Sequence, residues 1–267
     1  SWGSEMCIRD RARRYLFSKK KHNAINIISG ISVCGVALAT LALVCTLSVF
    51  NGFQDMVASF FTAFDPQLKI TVREGKVFDG QDKRIGVVCL LPEVDVFTET
   101  LEENAMVQYK DRQAMVVLKG VEDNFEELTA IDSILYGAGD FLLHDSIVNY
   151  GVMGGELVAT LGTGLQFVDP LQVYLPKRNA KVNMANPGAS FNRDYLYSPG
   201  VVFVVNQQEY DGKYILTSLD FLRQLLDYTT EVSAIELKLK PGANVSSVQA
   251  KIEKILGNDF IVQNRYQ

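Results

Sequence analysis

The 267-residue chain, 48% hydrophobic and 21% charged, is long enough for one large domain or two ordinary ones with a sizeable core. Formal net charge is −5, yet Arg9–Lys21 holds seven Lys/Arg against the single acid Asp10, so the remainder is acidic and nucleic acid is excluded as its main partner. The four cysteines (Cys7, Cys34, Cys45 and Cys89) show no CxxC and no Cys/His ligand spacing, and Cys89, alone in the large domain, is expected to be a small buried hydrophobe.

Residues 1–24 read as a basic cytoplasmic segment. From His22 to Gln54 no residue is formally charged. The apolar run Ile25–Phe50 exceeds the ~20 residues needed to cross a bilayer core and is too long for a signal-peptide core of roughly 7–15. Residues 25–52 are therefore a transmembrane helix. Basic residues precede it and Asp55 and Asp65 follow it, which places the N-terminus in the cytoplasm and the large domain across the membrane. Ser32, Gly35, Ala39 and Ala42 align on one helical face, either a packing surface for another membrane helix or the ordinary small-residue content of such helices.

Asn51-Gly52 is a hairpin-turn signal. Helical spacing nevertheless continues through Phe53, Met56, Val57, Phe60, Phe61 and Phe64 until Asp65-Pro66. Residues 53–66 are expected to carry the helix onward as a stalk, giving a total length of about 60 Å at 1.5 Å per residue.

Beyond Pro66 the expected class is α+β, with residues 67–267 forming one domain. "QLKITVRE", "DKRIGVVCLL" and "EVDVFTETLEENAMVQY" read as strand, helix and strand, with "RQAMVVLKGV" as a partner strand. The order recurs in "EVSAIELKLK", the turn Pro241-Gly242, a helix capped by Asn244, and "DFIVQN". Two βαβ units at 67–120 and 231–267 predict a split ferredoxin-like sheet with helices on one face. An inserted mixed subdomain spans 121–230. Within it, helices are expected at Asn124–Ala130, Met153–Leu161 and Ser218–Tyr228, and strands at "PLQVYLP" and "GVVFVV". The polar stretch Lys177–Pro199 between those strands is expected to be a long loop, either a partner-binding projection displaying Phe191, Tyr195 and Tyr197 or a plain connector.

Catalytic signals are poor. His144 in "LHDS" stands alone, no G-x-S-x-G, G-x-G-x-x-G or G-x-x-x-x-G-K-[ST] occurs, and Glu99, Glu102 and Glu103 read as a solvated acidic face. The chain is not expected to be an enzyme, and any energy source must lie on another polypeptide.

Arg14-Tyr15-Leu16, Ile31-Ser32 with Gly35-Val36-Ala37-Leu38, and Ser48-Val49-Phe50-Asn51-Gly52-Phe53 together resemble the first membrane helix of lipoprotein-releasing ABC transporter permeases, in the FtsX/MacB-like superfamily. "GGELVATLG" followed by "DPLQVYLP", and the terminal "NRYQ", are similar to later family segments. The resemblance implies a four-helix permease of which this chain is an N-terminal fragment, in the bacterial inner membrane with its large domain periplasmic. It also implies a separate ABC ATPase subunit holding ATP–Mg, no cofactor in this chain, a second permease subunit in a homo- or heterodimer, lipoprotein cargo, membrane lipids and a periplasmic lipoprotein carrier. Phe50, Phe53, Met56, Phe60 and Phe64 would line a cavity for acyl chains, with core packing the equal alternative. Lys177, Arg178, Phe191, Tyr195 and Tyr197 occupy by position the place of a carrier-binding hairpin. The alternatives are an FtsX-like signalling permease controlling cell-wall hydrolases, and a single-span anchored sensor or binding module.

Overall fold

An uncharged apolar run leaves its backbone only one way to satisfy every polar group locally, and Ala24–Thr62 forms one continuous helix, α1. Asn51 and Gly52 lie within it, so helical spacing overrides the local turn signal. Thr40 and Thr46 donate their hydroxyls to the carbonyls of Val36 and Ala42 at 2.7 and 2.8 Å, which satisfies those two donors within the helix. The stretch Ile27–Phe53, with mean hydropathy 2.4, is long and apolar enough to cross a membrane. The computed structural model describes the backbone of 24–62, with side chains for 27–53, and residues 66–178 and 190–265. The chain divides into two compact units, Ser1–Ala58 and Ser59–Gln267.

In the second unit, β1 (Leu68–Val72), β2 (Phe78–Asp79), α2 (Lys83–Cys89), β3 (Val94–Tyr109) and β4 (Arg112–Val121) follow in order. The intervening part holds α3 (Phe125–Leu128), β5 (Leu135–Gly137), β6 (Val152–Met153), α4 (Gly155–Leu161), β7 (Leu171–Pro176), β8 (Phe191–Leu196), β9 (Val201–Phe203), α5 (Gln208–Asp211), β10 (Tyr214–Ser218) and α6 (Leu219–Leu226). The chain then returns through β11 (Glu231–Val232), β12 (Ala234–Leu239), α7 (Val245–Leu256) and β13 (Phe260–Asn264).

Among the described residues the main sheet has nine strands, ordered β13-β1-β12-β3-β4-β10-β6, with β7 pairing β3 and β8 pairing β7. Each neighbouring pair among the first four strands is antiparallel, and the four interleave the two βαβ units in ferredoxin-like order. Alternation along β1, β12 and β13 sends Leu68, Ile70, Ile235, Leu237 and Val262 to one face. There Ile85 and Val88 of α2 and Val248, Ile252 and Leu256 of α7 cover them. Asn244 caps α7 by accepting from Ser247 N at 3.1 Å.

Strand β3, 16 residues long, joins the two parts. Its start pairs with β12, its end with β7, and much of its other edge with β4. Strand β10 runs parallel to β4, and α6 crosses them at Gly120, where a Cβ would lie 3.1 Å from Leu222 Cβ. A side chain there would push the helix off the sheet.

Four expectations need correction. "EVSAIELKLK" is not one strand: β11 pairs with β2, and Ser233 leaves the ladder to accept from Glu102 N at 2.8 Å and donate to Thr100 O. Residues 177–199 are not one loop, because Phe191–Leu196 is strand β8 (residues 179–189 lie outside the described ones). Cys89 is exposed, because seven-residue α2 turns only Ile85 and Val88 inward. Glu99, Glu102 and Glu103 are not a solvated face, since each meets a cation: Arg223 at 2.6 Å, Lys69 at 3.2 Å and Lys76 at 3.3 Å respectively.

Candidate functional site

On α1, the small residues Ser32, Gly35, Ala39 and Ala42 are exposed, and nothing lies within 4 Å of a Cβ built on Gly35. That face is open to another helix. Phe50 and Phe53 are exposed as well. Met56 and Phe60 fall on the helix backbone, but their side chains lie outside the described residues, as does Phe64 altogether.

The second candidate region is the hairpin β7–β8, whose antiparallel register sets Pro176 opposite Phe191, Tyr174 opposite Arg193 and Gln172 opposite Tyr195. Strand alternation turns Phe191, Arg193 and Tyr195 outward while Leu196 is wholly buried. The guanidinium of Arg193 sits 5.9 Å from the Tyr195 ring centroid. Tyr174 also stands opposite Met106 of β3, and Met106 opposite Met115 of β4. The outward aromatic side of the hairpin thus continues onto two methionines. Period-two reading of "LQVYLP" and "ENAMVQY" could have found Tyr174 and Met106, but only the strand pairing brings them beside Arg193.

The hairpin is anchored at its Pro176–Phe191 end. Lys177 N donates to Ser190 O at 2.9 Å, and Asn192 Nδ2 donates to Leu225 O at the end of α6 at 2.6 Å. Arg178 lies 3.6 Å from the Glu231 carboxylate and over the Tyr228 ring, so it contributes to this anchor. Tyr197 lies beyond the strand, its backbone exchanging bonds with Asn149 and Gly151 and its ring partly exposed. Phe191, Arg193, Tyr195 and Tyr197 thereby project from a backbone fixed at several points, a geometry suited to docking a protein surface.

A charged group of a different kind lies inside the sheet. Lys119 Nζ of β4 is 2.7 Å from Glu236 Oε1 of β12 and 3.8 Å from Glu102 of β3, while Lys69 of β1 is 3.2 Å from Glu102 and 4.0 Å from Glu236. Burial pushes the Glu102 carboxyl up, but the charges of Lys119 and Lys69 outweigh it and hold the group below the usual range. Two lysines and two glutamates tie four strands together, from the strand that opens the domain to the strand that leads into the inserted part. Sequence alone singles out none of Lys69, Lys119 and Glu236 and assigns Glu102 to a solvated face, because a charged residue on a strand normally marks a wet face.

His144 is exposed, with Nδ1 3.5 Å from Asp123 Oδ1. Among the described residues, no group of three or more His, Cys, Asp and Glu side chains is arranged to hold a metal ion.

A family model described as the MacB-like periplasmic core domain matches residues 29–255. The lipoprotein-releasing system transmembrane protein LolC of Xylella fastidiosa strain Temecula1 is 21% identical over 253 residues, covering 94% of this chain and 58% of that protein. LolC of Neisseria meningitidis serogroup B is 22% identical over 251 residues, 90% of this chain and 56% of that one. This chain therefore spans less than two thirds of the length of these relatives. Among solved structures, the periplasmic region of MacB from Actinobacillus actinomycetemcomitans aligns with TM-score 0.49 at 10% identity, covering 77% of this chain and 91% of that one. The extracellular domain of the noncanonic ABC-type transporter YknZ from Gram-positive bacteria aligns with TM-score 0.48 at 10% identity, covering 74% and 99%. With most of its length matched by the family model, the chain belongs to the MacB-like periplasmic core domain family.

Proposed function

We propose that this chain is part of the permease subunit of an ABC transporter, and that the transporter extracts lipid-anchored proteins from the bacterial inner membrane. The observation that carries this reading is α1: one unbroken helix, apolar over Ile27–Phe53, in a chain whose remainder has the MacB-like core. The relatives named LolC support lipoprotein as the cargo. In this reading the basic residues before α1 hold the N-terminus in the cytoplasm and the folded domain stands in the periplasm. A separate ATPase subunit, with ATP–Mg, drives a second permease subunit and this one between two packings. The open face of α1 at Ser32, Gly35, Ala39 and Ala42 takes a neighbouring membrane helix. Phe50, Phe53 and the positions that follow on the same helix meet the acyl chains. The released lipoprotein passes to a soluble carrier that docks on the Phe191–Tyr197 side of the hairpin.

Reconstitution separates the two levels of this reading. The complete protein, assembled with its ATPase in proteoliposomes, is expected to release a triacylated lipoprotein only when ATP and carrier are both present. Assembly with the ATPase but no release of lipoprotein would leave the permease and remove the cargo. Failure to assemble with any ATPase would remove both.

A further inference from the structure

The sequence between Lys119 and Lys177 contains no lysine or arginine but nine aspartates and glutamates. The fold gathers much of this charge along one side of the inserted part. Three adjoining hollows of about 340, 240 and 450 Å³ run there in series. The first two share Asp123 and His144, and the last two share Glu126 and Phe141. Together they make a trough with carboxylates at Asp123, Glu126, Asp132 and Asp140 and an apolar floor at Phe141 and Leu142.

The floor is built from the core outward. Phe141 stacks on buried Phe125 at 6.4 Å between centroids, while Leu142 is 43% exposed. Among the described residues, the one guanidinium or ammonium lining the hollows is that of Arg223, at the far end and already bound to Glu99 at 2.6 Å. Burial and the neighbouring Asp132 charge raise the Glu126 carboxyl above its ordinary range, as expected of acids without a local counter-charge.

From this combination we propose that the trough docks an extended, lysine- or arginine-bearing segment of a partner protein, with its apolar side chains on Phe141 and Leu142. Charge complementarity selects the occupant. A cationic segment gains from every carboxylate on the rim, whereas an acidic segment or an anionic lipid headgroup is repelled. The apolar floor calls for side chains that a bare cation lacks. The inference does not depend on the transporter reading, since it concerns this surface whatever the membrane unit does.

The test uses the complete protein and a short fluorescent peptide of lysine and leucine spaced by glycine. Its glutamate counterpart and a lysine-and-glycine version without leucine serve as controls. The lysine–leucine peptide is expected to bind and to cross-link to p-benzoylphenylalanine placed at position 142 but not at position 115. The triple variant Glu126→Gln, Asp132→Asn, Asp140→Asn should bind it about tenfold more weakly. Equal binding by the triple variant, equal binding of the leucine-free peptide, or no cross-link at position 142 would overturn the proposal. Should the triple variant fold poorly, the cross-link in the otherwise unaltered protein decides alone.

Discussion

Lys119 Nζ and Glu236 Oε1 meet at 2.7 Å with both side chains withdrawn from solvent, joining β4 to β12 across the intervening β3. A buried pair of this kind adds little net stability over a matched apolar pair, but losing one member strands a charge. Lys119→Met alone or Glu236→Leu alone is therefore expected to cost about 3–5 kcal/mol, and the double variant to recover most of it. Urea denaturation of the four proteins checks this. Additive losses in the double variant would show that the two groups do not compensate each other.

Gly52 lies inside α1 with no atom within 4 Å of a built Cβ. Gly52→Ala should be accommodated and favour the helix by about 1 kcal/mol, whereas Gly52→Pro removes a ladder hydrogen bond and costs about 3. If α1 acts as one rod, Gly52→Pro abolishes transport by a correctly inserted protein and Gly52→Ala does not. Equal activity of the two variants would deny the rod its role.

The outward residues of the hairpin should separate binding from folding. Phe191→Ala with Tyr195→Ala removes exposed rings and is expected to leave stability within about 0.5 kcal/mol per site. Leu196→Ala empties a fully buried position and should cost about 2–5 kcal/mol. Carrier binding by the first variant, measured by calorimetry, is expected to fall at least tenfold while its melting temperature is unchanged.

Burial raises the Glu122 carboxyl above its ordinary range, with the hydrogen bond from Glu99 N pulling the other way. For a carboxyl raised on folding, ionisation costs stability above the folded value, and the cost vanishes once pH falls below the unfolded value of about 4.3. Glu122→Gln should thus melt about 1–3 °C higher than the parent at pH 7, with the difference closing as pH falls through that window. The opposite holds for Glu102, whose lowered carboxyl stabilises the fold above the ordinary glutamate range and loses that contribution as pH falls through its folded value. Melting curves of Glu122→Gln and Glu102→Gln against pH should diverge in opposite directions.

The two βαβ units could be read because their signals are local. Alternation in "LKITV", the Pro241-Gly242 turn and the Asn244 cap each act within a few residues. The run through Asn51-Gly52 was legible for the same reason, since the uncharged apolar run reaches Phe50 and helical spacing continues at Phe53, Met56 and Phe60. What stayed hidden depends on partners distant in sequence. "FNRDYL" alternates no apolar residues and becomes a strand only because β7 offers its edge. Glu99 and Arg223 are 124 residues apart, as Lys119 and Glu236 are 117, so their pairing cannot be seen in either segment alone. Cys89 followed the general burial of free thiols until helix phase placed it outside. At the candidate site, the aromatic content of residues 191–197 was visible. Its rigid anchoring through Asn192 and Arg178 was not.

The central claim, that this chain belongs to an ABC permease, is met most directly by purifying the complete protein from its native membrane in mild detergent. On that claim, a nucleotide-binding subunit is expected to accompany the protein in fixed stoichiometry, and the complex to hydrolyse ATP. Recovery of the protein at full yield with no nucleotide-binding subunit and no ATPase activity would contradict it.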